Sequence, residues 1–96
     1  MDKELVIKEK ESLINDLKES NDELVKAMMN YRLIQSQLWL ETDFEEKIGK
    51  KRPTVDEKKA YVNAHSIIHK EQYEIAKNNR EIILFKIKLC EDKLAL

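Results

Sequence analysis

Ninety-six residues carrying 18 basic and 19 acidic side chains, with one Gly, one Pro and one Cys, leave little from which turns could be built. Gly and Pro each average roughly 5–7% of ordinary chains, so a β-sandwich, a Gly-rich phosphate loop, a collagen repeat and a flexible linker are excluded. Composition points to a nearly all-helical chain and names no biochemical activity.

The net charge of −1 is unevenly divided. Residues 1–48 hold 12 acidic and 7 basic side chains, and residues 49–96 hold 7 acidic and 11 basic. Two halves of opposite charge favour segments packed side by side over a basic surface coating nucleic acid. Cys90 has no second cysteine with which to form an internal disulfide. The N-terminus lacks the features of a signal peptide, and no run approaches the roughly 18 apolar residues of a membrane span. The expectation is one soluble, cytoplasmic domain over residues 1–96.

The first helix is expected over about 2–41, with Asp2 as N-cap. Leu17, Leu24, Tyr31 and Leu38 recur every seven residues, with Val6, Leu13, Ala27 and Ile34 at the companion spacing. Such a repeat is a heptad seam. Ile7, Ile14 and Met28 widen it beyond what one neighbouring helix covers. Thr42-Asp43-Phe44-Glu45 reads as a capping box opening a short turn that ends at Gly49.

The corner is expected over 42–53. A second capping box, Thr54-Val55-Asp56-Glu57, follows Pro53 and opens the second helix, expected over about 54–95. There Tyr61, Ile68, Ile75, Ile82, Leu89 and Leu96 form one unbroken seven-residue series. Ile83, Ile87, Cys90 and Leu94 make a second apolar row about 100° around the helix. The stretch Ile82 to Cys90 tolerates a strand by composition, but the heptad series passing through it favours helix.

Folding back at Gly49-Lys50 sets residues whose numbers sum to about 99 at equal height. Ser20 and Asn21, the polar gap of the first seam, then face Asn78 and Asn79, the polar gap of the second. Two readings fit: a buried polar layer that fixes register, or solvated spots where the arms separate. A two-helix hairpin of this size has more apolar face than it can cover. The fold class expected is therefore an all-α, coiled-coil-like antiparallel hairpin dimerising into a four-helix bundle. Its oligomer core would hold Leu17, Leu24, Tyr31, Leu38, Ile68, Ile75, Ile82, Phe85 and Leu89.

Catalysis and metal binding find little support, and no cofactor is implied. His65 and His69 share a helix face at zinc-ligand spacing, but Ser66 stands where a zincin motif places glutamate. Cys90 lies in an apolar row and reads as a buried thiol. Pairs such as Glu4/Lys8, Asp22/Lys26 and Glu46/Lys50 describe solvated helix faces.

The corner is the densest surface. Lys47, Lys50, Lys51 and Arg52 surround Gly49, Lys58 and Lys59 follow one turn later, and Trp39, Phe44 and Ile48 add apolar bulk. Three uses are open. Trp39 and Phe44 could seal the bundle end; Trp39, Phe44, Lys47, Lys50, Lys51 and Arg52 could hold a protein partner; or the basic residues could bind phosphates of nucleic acid.

The segment Leu38-Trp39-Leu40-Glu41-Thr42-Asp43-Phe44, with Gly49-Lys50-Lys51-Arg52-Pro53-Thr54-Val55 and Lys59-Ala60-Tyr61-Val62, resembles small uncharacterised helical proteins of the early region of temperate phages of low-GC Gram-positive bacteria. The resemblance covers mainly residues 31–62 and carries over no site residues. It implies a phage accessory in the host cytoplasm, acting on a host defence or nuclease component. The leading expectation is a non-enzymatic oligomeric adaptor for a protein partner. The alternative is a nucleic-acid-binding accessory of phage recombination or replication.

Overall fold

A computed structural model of the protein describes residues 2–96. The chain is all-α: α1 spans Lys3–Glu41, α2 Phe44–Ile48, α3 Val55–His65 and α4 Ile67–Leu94. No described residue lies in a strand, and no described helix is long and apolar enough to cross a membrane. The chain divides into two compact units. One comprises Met1–Lys26 with Glu74–Leu96, the other Ala27–Tyr73.

In the first unit, α1 opens behind Asp2, whose carboxylate accepts the Glu4 amide at 2.9 Å and so satisfies a free donor of the first turn. The two arms run antiparallel. Lys3 Nζ donates to the Leu96 carbonyl at 3.2 Å, Lys10 pairs with Glu91 at 3.3 Å, and Arg80 Nε donates to Asn21 Oδ1 at 2.6 Å. Val6, Leu13 and Cys90 form the buried core, with Ile83, Ile87 and Leu94 packed against it. Of the two apolar rows on α4, the covered one is therefore the row containing Ile83, Ile87, Cys90 and Leu94. Buried Ala76 extends this row by the same heptad spacing, and Arg80 interrupts it at the companion position. Ile75, Ile82, Phe85 and Leu89 are exposed, and Leu17 and Leu24 are half-buried.

The polar layer also differs from the expected one. Asn78 and Asn79 are exposed. Arg80, two residues further along than the predicted register, reaches Asn21 instead, and Ser20 is buried beside them with its hydroxyl unpartnered. A guanidinium on a long stem can bridge a seam that a short amide on the neighbouring face cannot.

In the second unit, the turn after α1 is capped by Asp43, not Thr42: the Asp43 carboxylate accepts the Glu46 amide at 3.3 Å. α2 ends at Gly49, whose φ of 74° is left-handed and whose amide donates to the Glu45 carbonyl at 2.9 Å. That conformation strains any residue with a Cβ. The Thr54 capping box forms as its sequence indicates, with Glu57 N–H donating to Thr54 Oγ1 and Thr54 N–H donating to Glu57 Oε1, both at 3.1 Å.

The expected single helix over 54–95 is interrupted at Ser66. Its amide turns to the Asn63 carbonyl at 3.4 Å, and its buried hydroxyl donates to the Val62 carbonyl at 2.7 Å. A serine hydroxyl that bonds back onto the preceding turn competes with the helical ladder. Tyr31 and Tyr73 pack at 6.2 Å between ring centroids, Leu38 is half-buried, and Ile68 is exposed.

Candidate functional site: the aromatic and basic corner

The corner lies wholly within the second unit. α1 delivers Trp39 and Leu40, α2 delivers Phe44, and α3 delivers Lys58, Lys59, Tyr61 and His65. A short ladder of rings joins them. Trp39 meets Phe44 edge-on at 5.6 Å, and Phe44 meets Tyr61 at 5.8 Å and 86°. Tyr61 then stacks on His65 at 3.9 Å. Edge-to-face and stacked geometries are those the ring quadrupoles favour. Lys58 Nζ stands 5.6 Å from the Phe44 centroid, within cation–π reach.

The histidine pair is accounted for by these neighbours. His65 stacks on Tyr61, and its Nδ1 lies 2.9 Å from the Tyr61 carbonyl. Among the described residues no group of three His, Cys, Asp or Glu side chains is placed to hold a metal ion. Cys90 lies in the other unit at 1% exposure, closed to any substrate.

The basic residues are not equivalent. Lys50 Nζ is 2.9 Å from Glu57 Oε1, so its ion pair reaches forward to the cap and not back to Glu46. That bond, followed by the Thr54 amide, holds the Glu57 carboxyl below its ordinary value. Arg52 has a left-handed φ of 51°, and its amide donates to Glu45 Oε1 at 3.3 Å. Lys47 and Lys51 are exposed. The acidic side chains Glu45 and Glu57 thus work inside the turn, locking its backbone.

On one side of the ladder a groove runs between α1 and α3, lined by Gln35, Ser36, Trp39, Leu40, Lys59, Val62 and Asn63. Trp39 is 40% exposed and Leu40 82%. Phe44, by contrast, is half-buried among Trp39, Tyr61 and Lys58. Of the expected site residues, the structure brings Trp39 and Phe44 together and leaves Lys47 on α2 and Lys50, Lys51 and Arg52 in the turn beyond it. Sequence reasoning missed Leu40 and the ladder's far end. The Tyr61/His65 spacing of four was an available signal for that last contact. No protein-family model, no curated protein and no solved structure matches the chain.

Proposed function

We propose that the protein is a non-enzymatic helical adaptor that holds a protein partner at the Trp39–Leu40 groove and assembles with further copies of itself. The observation that carries the reading is an apolar anchor left open beside a rigid turn. Trp39 and Leu40 keep much of their surface in solvent, with Gln35, Asn63 and Lys59 forming a polar edge. A central aromatic and aliphatic anchor with a polar rim is the usual anatomy of a protein-binding hot spot. Pre-setting the turn through the Asp43 and Thr54 caps lowers the ordering cost of binding. The likeness to phage early-region proteins makes a host factor the natural partner.

Phosphate binding has less to work with here. Lys50 is committed to Glu57, Lys58 lies over Phe44, and Glu41, Asp43, Glu45 and Glu46 stand close in sequence to the remaining cations of the turn. The test is capture from host cytosol with wild type, Trp39→Ala, Leu40→Ser and a Lys47→Ala, Lys51→Ala, Arg52→Ala variant. A protein retained by wild type and lost with either groove variant supports the adaptor. Retention indifferent to both groove variants refutes it. Binding of single- or double-stranded DNA at low salt that falls with the basic variant establishes the rival.

A further inference from the structure

The outer face of α4 carries an apolar stripe that the first unit leaves uncovered. Ile75, Ile82 and Leu89 lie seven residues apart, Phe85 stands at the companion spacing, and all four are 42–62% exposed. A shallow groove along this face is lined only by α4 residues: Asn78, Glu81, Ile82, Phe85, Lys86 and Leu89. From Ile75 to Leu89 the face runs about 21 Å at 1.5 Å per residue. Leu96, 88% exposed, lies at the next position of the same series just beyond the helix end.

The charges beside the stripe identify what covers it. Taking 75, 82 and 89 as one core position and 78, 85 and 92 as the other, one flank reads Glu74, Glu81, Lys88 and the opposite flank Asn79, Lys86, Lys93. Flanking charges set partner and orientation in paired helices. Two α4 helices laid antiparallel, with Ile82 of each against Phe85 of the other, bring Glu81 of one copy to Lys88 of its partner. Twofold symmetry repeats that pair. The opposite flank then matches Asn79 with Lys86, and no like charges meet along the flanks; the end layers of the seam set Ile75 against Asp92 and Leu89 against Asn78. A parallel pair would gain Glu81 against Lys86 but would set Lys88 against Lys93, an unfavourable contact.

We infer that α4 is a self-complementary docking face for a second copy of this chain, joined antiparallel about a twofold axis between Ile82 and Phe85. This specifies the self-assembly part of the function proposed above and leaves the groove at Trp39 free in each copy. It also changes the expected oligomer core. Ile75, Ile82, Phe85 and Leu89 would make the contact between copies, while Leu17 and Leu24 would remain within each chain. An isologous contact of this kind closes on itself and stops at the dimer.

Sedimentation equilibrium across micromolar to millimolar concentration tests it, with circular dichroism confirming that every variant keeps its helix. Wild type is expected to approach twice the 11.4 kDa chain mass. Phe85→Lys, at an exposed position, is expected to stay monomeric. Glu81→Lys turns two attractive contacts repulsive and should weaken association about tenfold. Adding Lys88→Glu should restore it. A wild-type chain that remains monomeric at millimolar concentration overturns the inference. So does restoration of Glu81→Lys by Lys86→Glu in place of Lys88→Glu, since only a parallel pair predicts that. Capture at the Trp39 groove uses none of these residues, so either proposal can fail alone.

Discussion

Replacing Ser20 by Ala should make the protein more stable, although it removes a polar group from the seam between two helices. Ser20 is 5% exposed, and its hydroxyl has no hydrogen-bond partner. A buried donor or acceptor left unsatisfied costs about 1–3 kcal/mol relative to its hydrated state. Alanine removes that cost, fills nearly the same space, and adds roughly 0.5 kcal/mol of helix propensity at a mid-helix position. The expected gain is about 1–2 kcal/mol. For a chain of this length each kcal/mol moves the midpoint by roughly 4–8 °C, so thermal and urea melts followed at 222 nm will show it clearly. The contrast is Asn21→Ala. That change strands the Arg80 guanidinium, which donates to Asn21 at 2.6 Å, and should lower stability by about 1 kcal/mol, a reduced figure because both groups are only half-buried. Asn78→Leu and Asn79→Leu, on exposed positions, should each stay within about 0.5 kcal/mol of wild type. An unchanged or lowered midpoint for Ser20→Ala would refute the reasoning. It would mean that the hydroxyl is satisfied by water held in the adjacent cleft formed by Asp16, Glu19, Glu23 and Asn79.

Four further outcomes follow from the same contacts. Phe44→Ala removes the ring shared by Trp39, Tyr61 and Lys58 and should cost about 2–3 kcal/mol; it should also red-shift the emission of Trp39, the one tryptophan. Arg52→Gly relieves a left-handed φ of 51° and should raise stability by about 1 kcal/mol in a urea melt. Because Lys50 first and the Thr54 amide second depress the Glu57 carboxyl, its contribution is full above the unfolded value near pH 4.3 and disappears as pH falls through the lower folded value. Protection factors of the amides at the start of α3, corrected for the intrinsic pH dependence of exchange, should fall over that acid window in wild type and change less in Glu57→Gln. Cys90, at 1% exposure, should resist a thiol reagent in the native protein and react at the unfolding rate; rapid reaction under native conditions would show that the first unit opens locally.

Much of this was legible from residue spacing, and the exceptions have physical causes. The seam of α1 could be read directly because its heptad positions are apolar from Val6 to Leu38 except at Lys10 and Ser20. The seam of α4 could not, because that helix carries two apolar rows and periodicity identifies faces without saying which face meets a neighbour. The seam was settled by a row interrupted by Arg80, whose length lets it serve as the partner of Asn21. The break at Ser66 was hidden for a similar reason. Serine is only mildly unfavourable within a helix, and nothing local distinguishes a hydroxyl that bonds back to Val62 from one facing water. At the turn, Thr42 and Asp43 both offered a capping side chain one residue apart, and the backbone took Asp43.

The corner posed a choice between sealing the end of the helices and binding a partner, and its two aromatic residues differ in how far packing engages them. Phe44 is half-buried, with Trp39 and Tyr61 on two edges and an ammonium near its ring. Its ring is fully engaged in holding α1, α2 and α3 together. Trp39 contributes one edge to that contact and keeps 40% of its surface, beside a Leu40 that is 82% exposed. Truncating a sealing residue lowers stability and, through it, binding. Truncating an exposed anchor lowers binding while stability moves by no more than about 0.5 kcal/mol. Leu40→Ser is therefore the sharper probe of function and Phe44→Ala of structure. If Leu40→Ser unfolds the second unit, or if only Phe44→Ala abolishes capture, the corner is a seal and the partner must be sought on another face.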